Sequence, residues 1–271
     1  MSNKRKIKLT KAVAWLILGL SVCVMMICGY KLWEIQQSYR AGDVSYRELA
    51  VLARPAKLTV SAEAAKIDED TPSIDFAALR AINPDTAAWL YCPDTVIDYP
   101  VMRALDYNSY LRRLPDGTFN ANGALFIDYN CSPDFSDKLT VIYGHNMRSG
   151  RMFGSLVNYK KQSYFEQNPC MFLYTESCDY RIDLVYGCVI GAREWRERAF
   201  MYENNADALM TYAAYNTTFA SEAQYTPEDM IIVLSTCSYE FDDARYVVIG
   251  LLRSPHRGDR AETGELVSAP R

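Results

Sequence analysis

The sequence predicts a mainly β domain, closed or nearly closed into an antiparallel barrel, with a helical extension ahead of it. Three observations lead there. Short runs rich in β-branched and aromatic residues recur between residues 88 and 252, bounded by Gly, Pro, Asn and Asp. The last two runs, 231–237 and 246–252, are separated by a polar link, 238–244, too short for a crossover helix, so those two strands pair antiparallel. Helical spacing is confined to the chain before residue 83 and to one insertion around Leu209.

The elements follow in chain order. Lys4, Arg5, Lys6, Lys8 and Lys11 make 1–11 a basic tail, and 12–30 is an uncharged, mostly apolar run closed by Lys31 and Trp33. About 20 apolar residues suffice for a helix to cross a bilayer, and the basic cluster keeps its own end in the cytoplasm. The expectation is therefore a single-pass anchor in the cell membrane, with the rest of the chain outside. A cleaved signal peptide, the competing reading, wants a shorter apolar core and a small-x-small site that Met26-Ile27-Cys28-Gly29 does not offer.

Residues 31–73 are charged and alanine-rich, with Pro55 and Pro72 as breakers, and read as a juxtamembrane helix and stalk. Apolar residues at helical spacing over 74–82 stop at Asn83-Pro84-Asp85 and open a globular domain over 74–253. Strand-like runs at 88–91, 96–101, 124–128, 139–143, 171–174 and 180–190 precede the final pair. A helix over 208–215 is inserted ahead of the strand that ends in Cys237. It either walls a groove leading to that thiol or packs without any ligand role. Residues 254–271 form a polar tail.

With 271 residues and 49% apolar composition the chain can bury one sizeable core. The net charge of -4 becomes more acidic once the basic N-terminus is set aside, so nucleic acid is not an expected partner. Cys23 and Cys28 fall in the anchor, while Cys92, Cys131, Cys170, Cys178, Cys188 and Cys237 lie beyond it. An exported chain can pair such thiols as disulfides, or bury them as small hydrophobes, and spacing does not choose between these. No C-x-x-C pair, His-rich cluster or compact acidic cluster is present, so neither a metal nor another cofactor is expected.

The chemistry concentrates in few residues. Cys237 ends one strand and Arg245 opens its neighbour, so antiparallel pairing brings a thiol and a fixed cation to one site at a sheet edge. Of the two histidines, His256 sits in the charged tail and reads as solvated and inert. His145 follows the run 139–143 through Gly144, at the end of a strand, and is the candidate partner for a nucleophilic thiol. A Cys237 thiolate attacks a carbonyl carbon, Arg245 holds the developing oxyanion or orients the substrate carbonyl, and His145 gives a proton to the departing amine. With unperturbed values near 8.5 and 6.5, the doubly ionised Cys–His pair is only about 1% of molecules slightly above neutral pH. Arg245 raises that fraction if it lowers the thiol pKa. Asp242 and Asp243, in the link, read as a solvated turn.

At these residues the chain resembles the class B sortases of Gram-positive bacteria. The resemblance covers roughly 74–252. It is carried by Ile82-Asn83-Pro84-Asp85-Thr86-Ala87-Ala88-Trp89-Leu90 with Ile97-Asp98-Tyr99-Pro100-Val101, by Ile142-Tyr143-Gly144-His145-Asn146-Met147 with Met152-Phe153-Gly154, and by Leu234-Ser235-Thr236-Cys237 with Arg245. It implies a closed eight-stranded sortase barrel with an N-terminal helical extension and a helix before the nucleophile strand. By the same resemblance His145, Cys237 and Arg245 are the catalytic residues, and Ser235, Asn108 and Leu111 touch the substrate. The implied partners are the sorting-signal peptide of a surface protein, Asn-Pro-x-Thr-x in form and cleaved after threonine, and an amine acceptor such as a peptidoglycan precursor.

Two other classes compete. A cysteine peptidase or cell-wall hydrolase would use the same thiol, but the papain-like order of cysteine first and histidine later is reversed here. A membrane-anchored binding protein without catalysis would leave Cys237 merely buried.

Overall fold

The computed structural model describes residues 2–54, 74–197 and 206–254, so His256, the stalk at 55–73 and all of the tail beyond Ser254 lie outside the described residues. The chain divides into two compact units, Met1–Ser45 and Tyr46–Arg271.

The first unit lies within helix α1 (Ser2–Ala53), which runs on past residue 31 without a break. Trp15, Leu16, Ile17, Leu20, Met25, Met26 and Ile27 are exposed along it, and its apolar stretch, mean hydropathy 1.9, is long enough to cross a membrane. A helix that is apolar around its whole circumference has no core of its own to face. It is compatible with a membrane anchor.

The second unit begins at Tyr46, earlier than the expected boundary at residue 74, because the last turns of α1 belong to it. Tyr46, Leu49 and Ala53 are buried, and Ala53 accepts a hydrogen bond from the Asp75 amide. Arg54 pairs with Asp98 and lies over the rings of Trp89 and Tyr91. Helix α2 (Phe76–Ile82) starts where the Asp75 carboxylate caps the Ala78 amide and stops at Asn83.

Eight strands then close a barrel: β1 (Thr86–Tyr91), β2 (Asp98–Arg103), β3 (Leu125–Ile127), β4 (Leu139–Tyr143), β5 (Cys170–Thr175), β6 (Asp179–Gly191), β7 (Met230–Cys237) and β8 (Ala244–Arg253). They are ordered β1-β2-β3-β4-β7-β8-β6-β5. The antiparallel pairing expected throughout holds for β7 with β8 but not everywhere. Two pairs, β2 with β3 and β4 with β7, are parallel. Each is joined through connections long enough to return the chain to the starting edge, which a short hairpin link cannot do. A 3-10 helix (Phe153–Lys160), α3 (Gln162–Gln167), α4 (Ala192–Glu197) and α5 (Ala206–Asn216) fill the connections.

Alternation along β7 explains why its run is apolar throughout. Ile232 and Leu234 face the barrel interior, with Leu90, Val101, Ile142 and Val248. Ile231 and Val233 face outward, where Val141, Val247 and Ile249 share a second core with Leu209, Met210 and Ala213 of α5. A strand covered on both faces loses the polar half of its alternation.

At the far end of this sheet Asp229 ties β7 to β8. It is 8% exposed and accepts from the Thr226 amide at 2.8 Å, from the Thr226 hydroxyl at 3.1 Å and from the Arg253 guanidinium. Burial alone would raise its pKa, but the bonds from Thr226 and Arg253 outweigh that and hold the carboxyl below its usual range. A depressed folded value means that ionisation adds stability above the unfolded pKa, and that this is lost as pH falls through the folded one. Asp229→Asn is therefore expected to cost about 1–3 kcal/mol at pH 7. Urea unfolding of the two full-length proteins should show the gap narrowing below about pH 4.

Candidate active site

The parallel pair β4–β7 positions the site. Val141 lies opposite Val233 and Tyr143 opposite Ser235, so the same register carried two residues further sets His145 beside Cys237. On the other side of β7, Cys237 pairs with Arg245. The Ser238 amide donates to the Ala244 carbonyl at 2.8 Å, which makes 238/244 a hydrogen-bonded pair and leaves 237/245 as the adjacent non-bonded one. In such pairs the side chains stand closer together and the peptide groups point away from the partner strand. Accordingly Arg245 Nη1 lies 3.3 Å from Cys237 Sγ.

Cys237, Ser235 and Val233 share the outer face of β7, and exposure climbs along it as the helical cover ends. Val233 is fully buried, Ser235 is 1% exposed, and Cys237 is exposed. His145, Ser235, Thr236, Cys237 and Arg245 line one groove of about 290 Å³. Its remaining wall is largely aromatic: Tyr107, Phe126, Tyr143 and Trp195, with Leu111, Gly144 and Ala192. Trp195 Nε1 donates to the Tyr143 hydroxyl at 3.4 Å, and that hydroxyl donates to the buried Asp128 carboxylate at 3.0 Å. Burial first, and Asp128 next, push the Tyr143 phenol far above its ordinary pKa, so it stays a neutral donor.

His145 is held from behind. Its Nε2 lies 2.6 Å from the Leu111 carbonyl, and because a carbonyl only accepts, Nε2 carries the hydrogen and Nδ1 is left to take or give a proton. The loop supplying that carbonyl passes closely under the ring. Gly123 adopts φ +59°, and a Cβ there would come within 2.6 Å of the Leu111 carbonyl and 2.9 Å of the imidazole, so only glycine fits. The Gly123 carbonyl in turn accepts the Tyr46 hydroxyl at 2.5 Å.

The link after the nucleophile is braced as well. Lys160 Nζ donates to the Ser238 hydroxyl at 3.1 Å, pairs with Glu240 and sits 5.0 Å from the centre of the Tyr246 ring. Burial opposes ionisation of Glu240, yet the bonds from Lys160 and Ser238 prevail and hold it below the usual carboxylate range. Asp242 and Asp243 are exposed in this turn, with Asp243 at φ 60°.

The structure thus brings together five of the six site residues marked by sequence: His145, Cys237, Arg245, Ser235 and Leu111. Asn108 is the exception. It lies outside the groove, in a separate depression with Asp85, Asp106 and Arg113, where the Asp106 carboxylate accepts its backbone amide at 2.8 Å. Of the two roles open to α5, the described residues fill only packing, and the groove wall comes from Ala192 and Trp195 of α4. Nothing in the spacing around Trp195 marks it, since α4 is shorter than two helical turns. All eight cysteines are free thiols, with Cys92 and Cys188 buried. Among the described residues no group of three His, Cys, Asp or Glu side chains is placed to hold a metal ion.

No family model matches the chain. The curated sortase B of Listeria monocytogenes is 29% identical over 178 residues, which span 64% of this chain and 72% of the relative. The solved sortase B of Clostridium perfringens matches with a TM-score of 0.61 and 26% identity, covering 66% of this chain and 100% of that one. The chain is similar to the class B sortases in both sequence and fold. The sortase B of Staphylococcus aureus adds 24% identity over 234 residues, 85% of this chain and 92% of the relative. A sortase B structure from B. anthracis, at 23% identity and TM-score 0.65, shares the fold over 82% of this chain and 100% of its own length. The chain is accordingly a cysteine transpeptidase, an enzyme of acyl transfer rather than a passive binding protein.

Proposed function

We propose that this chain acts as a class B sortase, cleaving a C-terminal sorting signal of the form Asn-Pro-x-Thr-x after its threonine and passing the acyl group to an amine of the cell wall. The observation that carries this reading is the thiol of Cys237 set 3.3 Å from Arg245 Nη1 in a groove that also holds His145. Cys237 Sγ attacks the threonine carbonyl, and Arg245 donates to the oxygen as it gains charge. The Thr–x bond breaks as His145 protonates the leaving amine, and a thioester remains on Cys237. The acceptor amine then attacks that thioester, gives a proton to His145 and expels the thiolate. Ser235 and Leu111 contact the bound peptide, and the aromatic wall excludes water from the thioester.

Two observations on a relative support the substrates: a Staphylococcus aureus sortase B has been solved as a substrate complex, and a sortase B has been solved with triglycine. The anchor over 12–30 holds the enzyme in the cell membrane in a single pass, with 1–11 in the cytoplasm, 31–73 as the connection and the catalytic domain outside. The buried hydroxyl of Ser235, which lacks a hydrogen-bond partner among the described residues, fits a group waiting for a peptide.

The test compares product masses when the full-length protein in detergent micelles meets an Asn-Pro-Ala-Thr-Ala peptide with and without triglycine. Transfer predominates with the amine and slow hydrolysis without it. Hydrolysis alone in excess triglycine would instead assign a peptidase.

A further inference from the structure

The last backbone rung between β4 and β7 runs from the Gly144 amide to the Ser235 carbonyl at 3.1 Å. Beyond it, side chains join the two segments. Thr236 Oγ1 donates to the Gly144 carbonyl at 2.8 Å, and Asn146 Nδ2 donates to the Cys237 carbonyl at 2.7 Å. In a parallel ladder of this register the backbone amide of residue 146 would be the donor to that carbonyl. Instead the backbone of Asn146 turns into a bridge with Met152, whose φ of 53° tightens the loop, while the Phe153 amide donates to the His145 carbonyl at 3.0 Å. The carboxamide takes the rung that the backbone has left.

Because 237/245 is a non-bonded pair, the Cys237 peptide group points away from β8 and toward the His145 segment, where Asn146 meets it. We infer that Asn146 is a positioning residue for acyl transfer: its side chain fixes the backbone of the nucleophile, and so the direction of Sγ, relative to the strand end that bears His145. One residue thereby couples the placements of both reacting side chains without touching either reacting atom. A misplacement of about 1 Å at such a centre costs on the order of a hundredfold in rate.

The inference rests on Cys237 being the acyl carrier, and the experiment keeps the two apart. Full-length wild type, Asn146→Asp and Asn146→Ala in detergent micelles are mixed with the Asn-Pro-Ala-Thr-Ala peptide, and the adduct on Cys237 is followed by mass in a single turnover. Steady-state kcat and KM and the thermal unfolding midpoint are read on the same samples. Aspartate keeps the shape of the carboxamide and loses its N–H. Acylation is expected to slow by about tenfold to a hundredfold in both folded variants, with the loss in kcat and KM changed by less than about twofold. A wild-type acylation rate in a folded variant overturns the inference. So does a loss carried by KM, or one that only tracks the loss of folded protein. Absence of any adduct on wild-type Cys237 overturns the proposed function itself.

Discussion

The full-length Cys237→Ala protein is expected to form no thioester adduct with a sorting peptide and to transfer nothing to an amine, while unfolding at the temperature of the wild type. Cys237 is exposed, so removing its sulfur deletes no core contact. What it deletes is the sole atom among the described groove residues able to carry an acyl group as a thioester, since the neighbouring Ser235 and Thr236 hydroxyls are buried and Thr236 is committed to the Gly144 carbonyl. Mass spectrometry of protein and peptide decides the matter. Any acyl adduct or transfer product from the alanine protein sinks the assignment of the nucleophile, because no other thiol among the described residues lines the groove.

The second large effect is at His145. His145→Gln should lower the rate of thioester formation by about 10²- to 10⁴-fold, the range of general acid–base catalysis. Glutamine can still donate to the Leu111 carbonyl and so preserves the contact made by Nε2. It cannot deliver a proton to a leaving amine. Single-turnover acylation with a peptide and with an activated ester of the same acyl group separates the two roles. The ester, whose leaving group needs little protonation, should lose much less than the peptide. Equal losses on both would show that His145 serves placement rather than proton transfer.

Much of this site was legible one residue at a time. Cys237 and Arg245 could be placed side by side from a link too short to do anything but reverse the chain. His145 stood out because only one other histidine competes with it, and that one sits in the charged tail. Asn108 lies apart from the groove, in a depression where the Asp106 carboxylate two residues upstream accepts its backbone amide. Asn146 and Trp195 were not legible. Asn146 acts through a carbonyl 91 residues away, and Trp195 through the hydroxyl of Tyr143 52 residues away.

By itself the sequence determined the local matters: an apolar helix long enough for a bilayer, strand-length runs separated by turns, an inserted helix, and the identity of a thiol, an imidazole and a guanidinium. These depend on periodicity, run length and side-chain chemistry, all read over a few residues. Only the tertiary structure decided that β4 lies parallel to β7, that α4 rather than α5 walls the groove among the described residues, and that Asn146 bridges to Cys237. Which distant edge closes on which is settled by the shared burial of all eight strands around one interior, and no window along the chain contains that information.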